Sequence, residues 1–456
     1  MREIIRPFSA VPFLLGEQKA ENFNAYKRAS FCILTEENGK SIAYNTLTGR
    51  LVELNGVEAG FLNGESHAFS EGMSELVKGF FLVPENHDDI KLCDGVRLFA
   101  TKAGEGFKAY HHFTVFPTMD CNARCFYCYE NGAKKYAMSA DTAKKTAEFI
   151  IRESKGEPVD ITWYGGEPLM NACAIDIISS VLSDAGVEYT STLATNASLV
   201  CDELIDIAVK LWKLEKAQVT LDGTCETYNK IKAYADGREN GFEDVLGNIG
   251  KMLDAGIKVN IRLNIDIHNI SDIYELADLL AKRFAGKDGL NIYSALLFDC
   301  DGAKRPISDA VCRETLAKQV IELEDMLSDK GLLHPRKLRR NFAYCYCKAD
   351  SADSIVITAE GKLVKCDFFT DEHFVGDVDS GIDCELLRAE KACFSRYADG
   401  YKYCVGCSAY PVCLRLAACP TSDAPCDAAR RYITESRLVR SVRYAYKKAT
   451  EGKNDI

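Results

Sequence analysis

The sequence predicts an α/β protein whose centre is a parallel sheet, curved or partly closed. Strand-like and helix-like segments alternate between about residue 108 and residue 335, and helical i, i+4, i+7, i+8 spacing separates the strands. Consecutive β/α units of this kind place functional groups at the carboxyl ends of the strands. The six strands are predicted at 113–116, 159–163, 189–193, 217–221, 259–265 and 291–297.

The length and the net charge of the chain limit the class of protein it can be. The chain has 456 residues, enough for two or three domains with separate cores. A net charge of −11 argues against a nucleic-acid partner. No apolar run is long enough for a membrane helix, and Glu3, Pro7 and Pro12 interrupt the apolar start, so no secretory signal is expected. The predicted location is the cytoplasm, with no membrane partner.

Twenty cysteines are unusual for such a chain. They concentrate in a tight group at 121–128 and a second group between 345 and 426. In a reducing compartment, clustered cysteines favour metal binding over a disulfide framework.

Two flanking segments have simpler patterns. Residues 1–107 predict a small α+β module with a hairpin turn at Asn38-Gly39 and a short helix near 73–77. It is either a capping domain or a peptide-docking module with an exposed strand edge, and the residues leave both open. Residues 428–449 predict a helix whose many Arg and Lys side chains form a solvated face.

The first cysteine group follows the first predicted strand. Cys121, Cys125 and Cys128 have the spacing C-x3-C-x2-C, with Tyr127 just before the third cysteine. Three thiolates can ligate three irons of a [4Fe–4S] cube and leave the fourth iron open. A structural zinc site or a ferredoxin-type cluster would need a fourth ligand.

This motif resembles that of the radical S-adenosylmethionine (SAM) superfamily, in which it follows the first strand of a partial (β/α)6 barrel. The resemblance implies that the open iron binds the amino and carboxylate groups of SAM. It also implies that reductive cleavage of SAM yields a 5′-deoxyadenosyl radical, so Cys121, Cys125 and Cys128 are the predicted catalytic ligands.

Residues at later strand ends resemble the SAM-binding positions of that family. Two glycines at the end of the second strand would let the main chain approach a ligand, and the following glutamate would face the SAM ammonium group. An arginine on the fifth strand could pair with the SAM carboxylate. The resemblance also implies that Lys232 or Arg238 shares that role. The predicted cofactor-binding residues are Tyr127, Gly165, Gly166, Glu167, Asn196, Thr220, Asp222 and Arg262.

The second cysteine group resembles the SPASM extension of peptide-modifying radical SAM enzymes. Gly361-x4-Cys366 and the start of the later cysteine run fit that pattern, whereas the interval before Cys419 is longer and Cys426 comes earlier than in the family. The resemblance implies two auxiliary [4Fe–4S] clusters. One would use Cys345, Cys347, Cys366 and Cys419, and the other Cys404, Cys407, Cys413 and Cys426.

The ligand role of Cys345 is open, and two other cysteines lie between the ligand runs. If Cys345 is not a ligand, the first auxiliary cluster has an open iron that could bind a substrate thiolate. Cys384 and Cys393 lie between the ligand runs and are predicted to be free and buried. A zinc ribbon over 404–413 is the alternative for that segment.

The whole chain resembles radical SAM/SPASM maturases of ribosomally made peptides, of the sactipeptide or ranthipeptide type. The resemblance implies thioether cross-links on a Cys-containing precursor peptide and a flavodoxin- or ferredoxin-type reductant. The alternative activity is oxidation of Cys or Ser to formylglycine, as in sulfatase-maturating enzymes, and a third hypothesis is a non-enzymatic zinc scaffold. The predicted domains are a recognition-like domain at 1–107, the radical SAM core at 108–335, the SPASM domain at 336–430 and a C-terminal helix and tail at 431–456.

Overall fold

The protein is described here by a computed structural model. The described residues are 1–5, 26–65, 73–104, 109–130, 134–238, 241–284, 286–297, 310–335, 337–338, 348–368, 371–393, 403–413 and 426–452. The strands are β1 Arg2–Ile5, β2 Tyr26–Arg28, β3 Cys32–Glu37, β4 Lys40–Asn45, β5 Leu51–Glu53, β6 Leu82–Pro84, β7 His112–Thr118, β8 Val159–Gly165, β9 Tyr189–Thr195, β10 Leu214–Leu221, β11 Lys258–Ile265, β12 Leu290–Leu296, β13 Ser354–Ile357, β14 Lys362–Val364, β15 Gly376–Asp377 and β16 Gly381–Ile382. The helices are α1 Gly56–Asn63, α2 Ser74–Lys78, α3 Asp89–Gly104, α4 Ala140–Ser154, α5 Ala172–Asp184, α6 Asp202–Lys210, α7 Cys225–Lys232, α8 Gly241–Asp254, α9 Ile270–Arg283, α10 Ala310–Asp329, α11 Cys384–Cys393 and α12 Ala428–Thr450.

The central sheet confirms the six predicted parallel strands. β7 to β12 are hydrogen-bonded in chain order, and each adjacent pair is parallel. Alternate side chains divide between the two faces. Ala217, Val219 and Leu221 of β10 are buried in the main core, while Gln218 and Thr220 point to the other face. The alternation therefore brings the polar residues of neighbouring strands together on one face.

The sheet continues beyond the six predicted strands. β13 pairs in parallel with β7, with Ile355 opposite Phe113, and β14, β15 and β16 follow as antiparallel neighbours. The regular alternation expected to stop after residue 335 thus gives way to a segment that extends the same sheet. Gly361 lies in the turn between β13 and β14, at the end of the sheet where β7 ends, and Cys366 follows β14, which runs back in the opposite direction.

The N-terminal unit contains the predicted hairpin and short helix. β3 and β4 pair around Asn38 (φ 52°) and Gly39 (φ 72°), a turn with two positive φ angles that suits a two-residue hairpin. The antiparallel sheet has the order β1-β5-β4-β3. One of its faces packs on α1 and α2, and the other packs on α12 through residues such as Val442 and Tyr446.

The last helix begins at Ala428, as predicted, where Asp427 accepts a hydrogen bond from the Arg430 backbone N–H at 2.8 Å. The prediction that its charges form a solvated face is wrong for part of the helix. Arg437 and Arg440 both pair with Glu324 of α10, a carboxylate that is 2% exposed. A buried carboxylate needs such partners, which is why both guanidinium groups pair with Glu324 although the Arg437 side chain stays 41% exposed. Among the described helices, none combines the length and the apolar character that crossing a bilayer requires.

Candidate cofactor site

The first cysteine group lies on the loop that directly follows β7. Burial, with a smaller contribution from the nearby Cys125, raises the pKa of Cys121 to about 11 and that of Cys128 to about 12. Three thiols that disfavour each other's ionisation need a cation to hold them as thiolates. Among the described residues, no group of three or more His, Cys, Asp or Glu side chains is arranged closely enough to hold a metal ion. In number and chemistry, this donor set fits three irons of a [4Fe–4S] cluster.

Hydrogen bonds from the backbone and from one side chain hold this loop against the ends of neighbouring strands and helices. The Glu167 N–H donates to the Asp120 carbonyl at 2.8 Å, and the Arg124 N–H donates to the Lys232 carbonyl at 2.7 Å. The Asn196 side-chain amide donates to Asn122 Oδ1 at 2.8 Å. The ends of β8 and β9 and the end of α7 therefore all support the cysteine loop.

The two glycines after β8 have a steric reason that the sequence did not reveal. A Cβ on Gly166 would clash with the backbone of Asp120, and a Cβ on Gly165, where φ is +116°, would clash with the Thr118 carbonyl. Only glycine lets the main chain of β8 approach the cysteine loop this closely. Contact with SAM at these glycines stays a prediction.

Glu167 is fully buried, and its hydrogen bonds connect the end of β8 to the end of β9. Its carboxylate accepts hydrogen bonds from the Leu169 N–H at 3.2 Å, the Thr195 hydroxyl at 2.7 Å and the Asn196 N–H at 2.7 Å. Burial raises the pKa of Glu167, and these donors oppose the rise. The described contacts give its side chain a positioning role, and its pairing with the SAM ammonium group stays a prediction.

Tyr127 connects the cysteine loop to a buried ion pair. Its hydroxyl donates to the Asp222 carboxylate at 2.8 Å, and Lys232 Nζ lies 3.0 Å from the same carboxylate. The side chains of Asp222 and Lys232 are 0% and 3% exposed. Burial lowers the pKa of Lys232, but the attraction of Asp222 outweighs it and holds that pKa well above its ordinary value. Lys232 is thus committed to Asp222, and Arg238 pairs instead with Asp236 and the Ser198 carbonyl.

Thr220 and Arg262 lie side by side on neighbouring strands. They are register partners in the β10–β11 pair, and Arg262 Nε donates to Asn264 Oδ1 at 2.9 Å. The structure therefore brings these two predicted residues together on the polar face of the sheet. Arg262 also lies close enough to Tyr164, at the end of β8, to lower the pKa of its hydroxyl, although burial raises that pKa more.

The second cysteine group is described in part. Cys345, Cys347 and Cys419 lie outside the described residues. Cys404, Cys407, Cys413 and Cys426 lie near one another, since Cys404 and Cys413 both raise the pKa of Cys426, which burial brings to about 11. Burial raises the pKa of Cys407 to about 12, with Cys413 adding to it. Cys384 is free, as predicted, but the prediction that it is buried is wrong, because it is exposed at the start of α11.

The loop that carries Cys404 and Cys407 packs against the N-terminal unit. The Thr46 hydroxyl donates to the Ser408 carbonyl at 2.6 Å, and the Tyr410 hydroxyl donates to Asp94 at 2.6 Å. Cys407 and Tyr410 belong to the same buried cluster as the helices of that unit. The N-terminal unit therefore supports the second thiol group.

An aromatic contact that the sequence did not reveal joins the two cysteine regions. Tyr129, the residue after Cys128, stacks on Phe368 with ring centroids 5.3 Å apart and an interplanar angle of 20°. Phe368 is two residues beyond Cys366. The sequence signals for this contact were the aromatic character of Tyr129 and its place next to Cys128, a predicted ligand, and neither identifies the distant partner.

Residues 115–280 match the family model of the radical SAM superfamily. The chain contains a radical SAM domain. Domains of this family bind SAM and a [4Fe–4S] cluster. The matched region begins in β7 and contains the cysteine loop, the glycines after β8 and the Asp222–Lys232 pair.

Two curated relatives are similar to the radical SAM domain region. The Fe-coproporphyrin III synthase of Methanosarcina barkeri is 29% identical over 168 residues, which is 36% of this chain and 40% of that protein. The sporulation killing factor maturation protein SkfB of Bacillus subtilis is 23% identical over 179 residues, 38% of this chain and 40% of that protein. The aligned part thus spans less than half the length of each of these relatives.

Solved structures share the fold over a larger part of the chain. The structure of anSMEcpe with bound AdoMet and the Cp18Cys peptide has a TM-score of 0.56 at 15% identity and covers 75% of this chain and 99% of that one. The structure of Streptococcus suis SuiB bound to the precursor peptide SuiA has a TM-score of 0.51 at 14% identity and covers 86% of this chain and 95% of that one. The SuiB alignment covers a larger share of this chain than the anSMEcpe alignment, at a lower TM-score.

Proposed function

We propose that this protein modifies a ribosomally made, cysteine-containing precursor peptide and forms thioether cross-links in it. When bound at Cys121, Cys125 and Cys128, the cluster and SAM would supply a 5′-deoxyadenosyl radical that removes a hydrogen atom from an unactivated carbon. Each cross-link joins a cysteine sulfur to a carbon and removes two hydrogens from the peptide.

The observation that carries the proposal is the presence of two separate thiol groups on one fold. Besides the loop after β7, the chain gathers Cys404, Cys407, Cys413 and Cys426 near one another against the N-terminal unit. Four thiols have the ligand number of a complete [4Fe–4S] cluster, which is the composition expected of an auxiliary electron acceptor. Removal of two hydrogens from a peptide requires such an acceptor. The 5′-deoxyadenosyl radical would take one hydrogen atom from the carbon, the thiol would release the second hydrogen as a proton to solvent, and the remaining electron would pass to the acceptor.

The chain's own residues would position the reacting groups. The Tyr127–Asp222–Lys232 contacts hold the cysteine loop, and the Tyr129–Phe368 stack keeps that loop beside Cys366. The fold shared with structures solved with peptides supports a peptide substrate, and SuiB, which was solved with the precursor peptide SuiA, supports a precursor peptide.

The test uses anaerobically reconstituted protein, SAM, reduced flavodoxin and a cysteine-rich peptide encoded beside the gene. Mass spectrometry should show loss of two hydrogens per cross-link, and the linked cysteines should resist alkylation. The Cys413→Ala variant should lose this product, whereas the matched control Cys384→Ala, which changes an exposed thiol, should keep it. An aldehyde product would contradict thioether formation and support the formylglycine activity.

A further inference from the structure

A cavity lies between the polar face of the central sheet and the last helix. Its volume is about 700 Å³, ample for several amino-acid side chains. Gln218, Asn260, Arg262 and Tyr293 line it from β10, β11 and β12, and Arg437 and Arg440 line it from α12. The helix thus closes the side of the sheet at which β12 is the edge strand.

The lining of this cavity is strongly cationic. Four arginines line it, namely Arg262, Arg430, Arg437 and Arg440, and Glu324 is the carboxylate among the lining residues, so the lining has a net charge of +3 with His334 neutral. Asp325 also pairs with Arg440 from the solvent side, and counting it lowers this net charge to +2. This local positive charge contrasts with the net charge of −11 of the whole chain.

The ion pairs of Glu324 hold the arginines in position around the cavity. Arg437 Nη2 lies 2.6 Å and Arg440 Nη1 2.8 Å from the Glu324 oxygens, and the Ser294 hydroxyl donates to the same carboxylate. One buried carboxylate therefore organises two guanidinium groups. The Arg437 side chain remains 41% exposed, and since Nε and Nη2 bind Glu324 and Ser294, Nη1 is the nitrogen that this pairing leaves for a ligand.

The cavity reaches toward the cofactor site. Arg262 lines it and lies beside Thr220 on the polar face of the sheet. The charge of Arg262 also acts on Tyr164, whose ring contacts Phe116 of β7 with centroids 5.5 Å apart. A ligand in the cavity would therefore lie along the same face as the strand ends that support the cysteine loop.

We infer that this cavity binds Asp or Glu side chains of the peptide substrate, so that the substrate is an acidic peptide. The inference rests on the proposed function, because it names the substrate class of the same site. Guanidinium groups bind carboxylates through N–H···O hydrogen bonds. A positively charged cavity in a protein of negative net charge therefore binds acidic peptide segments in preference to neutral or basic ones. Gln218, Asn260 and Tyr293 add neutral groups that can hydrogen-bond to the peptide backbone.

The direct test compares two fluorescein-labelled peptides of equal length with the reconstituted holoenzyme. One contains a cysteine flanked by four Asp residues, and in the other those residues are Asn. Fluorescence anisotropy at low ionic strength should give at least tenfold tighter binding of the Asp peptide, and the difference should shrink at high salt. Equal affinities for the two peptides would overturn the inference.

The Arg437→Gln variant separates binding from a structural effect. It should weaken binding of the Asp peptide at least fivefold and leave the Asn peptide unchanged, whereas a purely structural role would weaken binding of both peptides. The matched control Lys447→Gln changes one exposed charge on the same helix and should have no effect. Weaker Asp-peptide binding in the control than in Arg437→Gln would contradict the assignment.

The outcomes also distinguish this inference from the proposed function. Thioether formation on a neighbouring-gene peptide without any preference for Asp would refute the acidic substrate and keep the cross-linking activity. A clear Asp preference that depends on Arg437, combined with an aldehyde product, would keep the cationic cavity and refute thioether formation.

Discussion

Removal of one member of the Asp222–Lys232 pair is expected to destabilise the radical SAM domain strongly. The two groups are 3.0 Å apart and at most 3% exposed. Lys232→Met leaves the Asp222 carboxylate buried with the Tyr127 hydroxyl as its remaining donor among the contacts above. Stripping one partner from a buried ion pair costs about 3–5 kcal/mol. At roughly 2–4 °C per kcal/mol for a domain of this size, the midpoint of thermal unfolding should fall by about 6–20 °C.

The assay is thermal unfolding of reconstituted protein under anaerobic conditions, with the iron content measured in parallel. Asp222→Asn should have a comparable effect, because it leaves Lys232 buried without its carboxylate. The double variant Asp222→Asn with Lys232→Met removes both charges and should recover at least half of the loss. If each single variant shifts the midpoint by less than about 2 °C, or if the double variant loses the sum of the two, the pair does not hold the cysteine loop as described.

Two further predictions concern the loop glycines and the last helix. Gly166→Ala should lower the iron content of the reconstituted protein, because its Cβ would displace the backbone of Asp120, whereas Gly247→Ala, where a Cβ meets no neighbouring atom, should be neutral or stabilising by up to about 1 kcal/mol. Equal iron contents in the two variants would refute this steric role. Burial raises the pKa of Glu324, but Arg437 and the other donors outweigh it and set that pKa below its ordinary value. The stability from this group is therefore present above the unfolded-state pKa of about 4.3 and is lost as the pH falls through the folded value. The stability difference between cluster-free wild type and Glu324→Gln should be constant from about pH 7 to pH 5 and shrink below about pH 4; a difference independent of pH would contradict it.

The six parallel strands were predictable because their apolar runs alternate with helical periodicity over the whole region. The hairpin at Asn38-Gly39 was predictable for a local reason, since both residues tolerate the positive φ angles that the turn requires. These features depend on short-range patterns. The domain boundaries at 107, 335 and 430 have no such local pattern and stay predictions.

Long-range contacts were not predictable in the same way. β13 is only four residues long, and its partner β7 is distant in the sequence, so no local periodicity predicts this pairing. The inward position of Arg437 and Arg440 depends on Glu324 of another helix, and composition alone favoured a solvated face. Similarly, the spacing identified the cysteine loop, while the bracing role of Glu167 and the pairing of Lys232 with Asp222 required the fold.

The central claim is that Cys121, Cys125 and Cys128 together hold the cluster that cleaves SAM. The most direct measurement is the rate of 5′-deoxyadenosine formation by anaerobic, reduced protein in which these three residues are replaced by alanine and every later cysteine is kept. The account predicts that 5′-deoxyadenosine is no longer formed while iron bound by the second thiol group remains. Formation of 5′-deoxyadenosine at the wild-type rate would contradict it.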